Sequence, residues 1–275
     1  MSNTVFAFLL VAIAGTATGL GGLVVLFSKK TSKKFLSTCL AFSAGVMLYI
    51  SFGEILLEAF EDLEYALGGS TGYLVAVIAF FAGILLVALI DRFVPHDDAV
   101  SEPTGLAKRA DGDAITQEDK KELKHTGIMA AIALAVHNLP EGIVIFMAAL
   151  HDPALGVAIA LAIILHNIPE GISTAAPIYY STGSKAKAFL FAFGTGYIQV
   201  VGALIAWFLM RNVFDDMEAV FGIAFAVVAG IMVYVAIHQL LPAAQKFGKH
   251  HMVMKWLFTG MAVMAVSLVA LEFIF

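Results

Sequence analysis

Long apolar runs alternate with short polar breaks along the chain, and the runs are longer than strands or ordinary core helices require. Eight stand out, at roughly 4–28, 35–59, 72–94, 126–150, 153–180, 186–210, 217–244 and 252–275. A helix that crosses the hydrocarbon of a bilayer needs ~20 mostly apolar residues, and each run supplies that length. The pattern predicts an all-α polytopic membrane protein with eight transmembrane helices in a single domain over 1–275. One polar break is long. Residues 95–125 carry eight acidic and five basic side chains together with Pro95, Pro103 and Gly105, and they read as a cytoplasmic loop.

Charge supplies the direction. Fifteen of the 16 basic residues follow spans 1, 3, 5 or 7, and Arg211 alone follows span 6. Lys and Arg are retained on the cytoplasmic side, so both termini are expected outside the cytoplasm. Glu61, Asp62 and Glu64, in a 61–71 segment free of Lys and Arg, suit an outer loop. Composition removes the alternatives. The chain is 60% hydrophobic and 13% charged, with mean hydropathy +0.91, whereas a soluble domain carries about 25% charge. With Cys39 as the sole cysteine, no intramolecular disulfide forms.

Two internal repeats appear. His137-Asn138-Leu139-Pro140-Glu141-Gly142-Ile143 recurs as His166-Asn167-Ile168-Pro169-Glu170-Gly171-Ile172. Residues 44–59, AGVMLYISFGEILLEA, match residues 229–244, AGIMVYVAIHQLLPAA. Both pairs lie on spans that run in opposite directions. Inverted repeats of this kind are typical of secondary transporters that hold their substrate near the bilayer midplane.

The shorter repeat carries the chemistry. His137 lies roughly 17 Å into span 4 at ~1.5 Å per residue, and His166 and Gln199 reach similar depths in spans 5 and 6. His137 and Glu141 are spaced i,i+4 and share a helix face, as do His166 and Glu170. Pro140 and Pro169 each remove a helical N–H, freeing the carbonyls of Val136 and Leu165. A carboxylate at mid-membrane costs about 2.5–3.5 kcal/mol, and a divalent cation offsets two of them directly. Two imidazoles with two carboxylates suit Zn²⁺ and also accept Fe²⁺, Mn²⁺, Co²⁺ or Cd²⁺. Asn138, Asn167 and Gln199 add neutral oxygens for a second, harder site sharing the glutamates. A lone His or Glu in a span is ordinarily a helix–helix hydrogen-bonding partner. Two copies on antiparallel helices at matched depth are not explained that way.

The doubled HNxPEG motif resembles that of the ZIP (Zrt-, Irt-like protein) family of divalent-metal transporters, and the likeness extends over nearly the whole chain. The resemblance implies zinc uptake into the cytoplasm across the cell inner membrane by alternating access. Spans 1, 4, 5 and 6 would move against spans 2, 3, 7 and 8. It assigns one metal site to His137, Glu141, His166 and Glu170, and a second to Asn138, Glu141, Asn167, Glu170 and Gln199. Family members with a full second site often carry glutamate where this chain has Gln199.

Further features are placed by span ends. Glu54 and Glu58, near the outer end of span 2, are an expected entrance for cations. Asp91, His96 and Asp98, with His238, lie at inner span ends where family members carry metal-binding residues, so the resemblance implies an exit relay there. Gly15, Gly19, Gly21 and Gly22 in span 1 read as packing positions. Two other classes compete. A slow metal-ion channel is disfavoured because a tight His/Glu site binds too strongly for fast conduction. An intramembrane metalloprotease wants His-Glu-x-x-His with a free general base, and here each Glu is spent as a ligand. No enzyme, prosthetic group or nucleic-acid partner is expected. The expected partners are divalent metal ions, the lipid bilayer and, as an open alternative to the monomer, a second copy in a homodimer.

Overall fold

The computed structural model describes residues 3–26, 33–93, 116–212 and 218–273, and among these there is no strand. Ten α-helices follow in order: α1 (Asn3–Leu26), α2 (Lys33–Ile50), α3 (Leu56–Leu67), α4 (Gly69–Phe93), α5 (Gln117–His151), α6 (Pro153–Thr182), α7 (Lys185–Asn212), α8 (Glu218–Tyr234), α9 (Leu241–Phe247) and α10 (His250–Glu272). A π-helical turn at Ser51–Ile55 joins α2 to α3, and another at Val235–Leu240 joins α8 to α9. Each joined pair is one span, so eight helical segments are long and apolar enough to cross a membrane.

Three boundaries differ from the hydropathy reading. The 61–71 segment is not a loop: α3 runs to Leu67, and Gly68, at φ 82°, makes the whole turn into α4. The 95–125 segment is not all loop either. Its last nine residues are the first turns of α5, started by a capping box in which Thr116 and Asp119 satisfy each other's backbone N–H. Hydropathy missed this because the turn is polar. The third is the interruption of spans 2 and 7 by π turns. Leu56 N donates to Ser51 O, and Leu241 N to Ala236 O, each five residues back. The two turns fall at matched positions of the 44–59 and 229–244 repeat, so that repeat is structural as well as sequential.

The helices sort into two groups. α1, α5, α6 and α7 pack on one another, and α2, α3, α4, α8, α9 and α10 form the other set. α2 against α6, and α8 against α5, make the seam. Close crossings at glycine hold each group. The Cβ of any larger residue at Gly45 would meet the Leu257 carbonyl, and one at Gly260 the Phe42 carbonyl, which fixes α2 on α10. Gly230 against Phe80 and Gly83 against Val227 do the same for α8 and α4. Gly45 and Gly230 are equivalent positions of the longer repeat, so one helix-packing device is used twice with inverted sense.

α4 and α10 turn apolar faces outward. Tyr73, Leu74, Ile78, Phe81 and Leu85 on α4, and Val266 on α10, are exposed. Such faces suit hydrocarbon, where helices already satisfy their own backbone polar groups.

Candidate metal centre

The centre is built from the middle of α5 and α6, where the two HNxPEG copies meet. Helix spacing puts His137 over Glu141 on α5 and His166 over Glu170 on α6. All four side chains are buried, with Glu170 only 1% exposed. His166 Nε2 lies 2.6 Å from Glu141 Oε1 and hydrogen-bonds it. His137 Nε2 stands 2.8 Å from the same oxygen and 3.3 Å from Glu170 Oε1, yet hydrogen-bonds neither. The two imidazole centroids are 6.0 Å apart. His137, His166 and Glu170 each offer a ligand atom within 4.8 Å of the others.

These distances suit a small divalent ion. Ligands at 2.0–2.1 Å from Zn²⁺ in a tetrahedron stand about 3.3 Å from one another, close to the His137–Glu170 spacing. The hydrogen-bonding ledger points the same way. Both Glu170 oxygens, both His137 nitrogens and His166 Nδ1 are buried without a hydrogen-bond partner. A buried polar atom left unpaired costs about 1–3 kcal/mol, so the cluster is poorly satisfied by protein alone. A cation among these atoms would satisfy them.

The motif's other residues tie this pair of helices to α7 and α1. Gly142 lets α7 approach until only hydrogen fits between it and the Gln199 carbonyl, and Gly171 does so for the Thr18 carbonyl on α1. Asn138 Nδ2 donates to Thr195 O at 2.9 Å, and Asn167 Nδ2 donates to Ala14 O at 2.9 Å. Gln199 then reaches the centre. Its Nε2 donates to Glu141 Oε2 at 2.7 Å and to Asn138 Oδ1 at 3.0 Å, leaving Gln199 Oε1 unpartnered. All seven residues named from the sequence for the two metal sites therefore lie at one buried crossing of four helices. From the other group, Ser43 Oγ donates to Pro169 O at 2.8 Å and ties the seam to the motif. α5 and α6 continue through Pro140 and Pro169 as unbroken helices.

Of the expected entrance, Glu54 and Glu58 are exposed on the α2–α3 span, with Glu58 beside Asp62, Glu54 and Glu61. They form an exposed acidic face and are not part of the buried centre. Of the expected exit, Asp91 and His238 come together at the end of α4. Asp91 accepts from Tyr234 OH at 3.0 Å and Gln239 Nε2 at 2.9 Å, and His238 Nδ1 is 3.7 Å away. His125, not singled out in the sequence, joins them with Nε2 3.0 Å from Asp91 Oδ1. The Thr116–Asp119 capping box was the available signal, because it carries the helix through residue 125. His96 and Asp98 lie outside the described residues.

Eight apolar spans around a buried, charge-bearing His/Glu centre on inverted-repeat helices define a polytopic membrane transporter for divalent metal ions. The chain belongs to the ZIP zinc transporter family, whose model matches residues 3–268. Among its relatives, "Zinc transporter ZupT" of Clostridium perfringens is 46% identical over 279 residues, covering 98% of this chain and 96% of that protein. The protein of the same name from Nitratidesulfovibrio vulgaris is 47% identical, covering 97% of each chain. That of Lysinibacillus sphaericus is 47% identical, covering 98% of each. This is a multi-pass membrane protein and not an enzyme, and in a bacterial cell its membrane is the inner one.

Proposed function

We propose that the chain carries zinc into the cytoplasm by alternating access, with His137, Glu141, His166 and Glu170 as primary ligands. Asn138, Asn167 and Gln199 supply further oxygens, and Fe²⁺, Mn²⁺, Co²⁺ and Cd²⁺ are the competing cargo. Glu54 and Glu58 gather cations at the outer face, and Asp91 and His238 receive them at the inner end of α4. Both termini face away from the cytoplasm, and the remainder of the 95–125 segment faces into it. The observation that carries this reading is the unpartnered ligand set: Glu170 Oε1 and Oε2 beside His137 Nε2, all buried at mid-span. The test is uptake of radioactive zinc into liposomes holding the purified chain, with the other four ions as competitors. A carrier saturates at low metal and turns over slowly. Flux that rises linearly with zinc would replace the carrier with a channel.

Acid should weaken binding. The 2.6 Å contact between His166 Nε2 and Glu141 Oε1 is a hydrogen bond, and an ion ligated by either atom would take the place of its proton. Metal binding therefore releases protons, and apparent zinc affinity falls from pH 7.5 to pH 5.5. Calorimetry in buffers of different ionisation enthalpy counts the protons. A count of zero would remove these side chains from the primary site.

Gln199→Glu should shift selectivity toward Fe²⁺ and Mn²⁺, because a third carboxylate favours harder ions over a neutral amide. It also exchanges the N–H donated to Glu141 for a second acceptor, so the metal-free protein should lose about 1–3 kcal/mol of stability. An unchanged competition profile would count against Gln199 as a ligand.

A further inference from the structure

The polar first turns of α5 carry a charge network that the metal centre does not use. Lys246 Nζ on α9 lies 3.2 Å from Asp119 Oδ1 on α5 and also meets Glu122 Oε2. Asp119 is only 1% exposed, although it stands at a polar helix start. Its Oδ2 accepts from Thr116 N in the capping box, and Lys246 supplies the countercharge that a buried carboxylate needs. A second link lies close by in the chain: His125 Nε2 on α5 is 3.0 Å from Asp91 Oδ1 on α4. Both links run from the first helix group to the second. α9 is itself anchored in the second group, where Ser37 Oγ on α2 donates to Ala244 O at 2.7 Å.

The apolar core divides along the same axis. Toward the start of α5, one core spans both groups. Leu123 and Met129 of α5, Ile178 of α6 and Ala192 of α7 pack in it with Leu40 and Leu240 of the second group. On α5 this shared core ends at Val144, just past the metal centre. Beyond it, Val11, Phe146, Ile163 and Ala203 belong to a separate core, which among the described residues draws on α1, α5, α6 and α7 alone. The two groups are thus joined by apolar packing and by charge at one end, and at the other end the first group keeps a core of its own. The orientation proposed above puts the joined end at the cytoplasm. α5 runs unbroken from the charge network to the ligands, roughly 27 Å from Asp119 to His137 at ~1.5 Å per residue.

We propose that Lys246, Asp119 and Glu122 form a latch that clasps α5 to α9 while the centre loads from the far side, and that opens when zinc leaves toward the cytoplasm. This rests on the carrier reading above and on its orientation. The chemistry suits a contact that opens and closes. The Lys246 and Glu122 side chains are 31% and 29% exposed, so water replaces each partner as the ends part, and an ion pair at a wet rim separates at little cost. Three charges in one network still favour the clasped arrangement over the open one.

The experiment uses the full chain with Cys39→Ala as parent, so that introduced thiols stand alone. Glu122→Cys with Lys246→Cys are joined by a thiol-cleavable bismaleimide in liposomes. Radioactive zinc uptake should fall about tenfold or more on cross-linking and return on cleavage. Zinc binding to the cross-linked protein in nanodiscs, read by calorimetry, should stay within about twofold. Lys246→Met tests the same latch without a cross-link. Spin labels at Glu118→Cys on α5 and His250→Cys on α10, both exposed positions, report the separation of the two groups by electron–electron resonance. The ratio of parted to clasped distances should rise about 5–150-fold in Lys246→Met, and Lys246→Arg should keep the parental distribution. Uptake undiminished by complete cross-linking would overturn the latch, because the clasp would then be a static joint. So would identical distance distributions in Lys246→Met and the parent. Either result, with a parent that takes up zinc, leaves the carrier standing, whereas a parent that takes up none would remove the carrier reading itself.

Discussion

Zinc uptake by Glu170→Gln protein in liposomes should fall to background, a loss of about 100-fold or more. Even a partner that only orients a ligand costs 10–100-fold in metal affinity when removed, and Glu170 faces His137 directly at 3.3 Å. The two glutamates should nevertheless behave differently without metal. Neither Glu170 oxygen hydrogen-bonds to the protein, so Glu170→Gln should leave the metal-free thermal midpoint nearly unchanged and abolish its rise on adding zinc. Glu141 accepts from His166 and from Gln199. Glu141→Ala should therefore cost about 1–3 kcal/mol of metal-free stability as well as transport, because it strands two buried donors. Near-parental uptake by the Glu170→Gln protein would exclude the shared-glutamate centre.

Much of this arrangement is visible in the sequence because two strong signals coincide. Lipid imposes spans of ~20 apolar residues, and ionisable groups inside such spans are costly enough to be rare. His137, Glu141, His166 and Glu170 therefore stand out against an apolar background, and helix periodicity alone puts each pair on one face. What stayed hidden carries no such contrast. Thr18 is a small, nearly neutral residue in an apolar run, and only the crossing of α1 with α6 shows its carbonyl packed against Gly171. Gln199 could be named as an oxygen donor, but its amide nitrogen is turned toward Glu141, and that orientation depends on the whole network. His125 falls in a polar stretch where hydropathy ends the span, and the capping box extends the helix beyond it. The π turns leave no hydropathy trace, because one extra residue per turn alters which way Gln239 and His238 point without changing how apolar the segment is. Gln239 thereby reaches Asp91 at 2.9 Å.

The glycine that ends each copy of the motif should matter as much to folding as the glutamate before it matters to transport. A methyl group on Gly171 would overlap the Thr18 carbonyl, and one on Gly142 would overlap the Gln199 carbonyl. Both obstacles are backbone, so no side-chain rotation relieves them, and α1 or α7 must move away. Close backbone approach at small residues is a main source of helix association in lipid. Gly171→Ala and Gly142→Ala should each cost more than about 3 kcal/mol, at the severe end of single substitutions. Gly142→Ala should also weaken zinc binding, because displacing α7 withdraws Gln199 from Glu141. Gly194 on α7 is the matched control. It is exposed, nothing lies within 4 Å of where its Cβ would be, and Gly194→Ala should stabilise its helix by about 0.5–1 kcal/mol. Thermal unfolding midpoints of the three purified variants in the same detergent make the comparison. If Gly171→Ala unfolded at the parental temperature or above it, as Gly194→Ala should, then α1 and α6 do not pack as tightly as the structure requires.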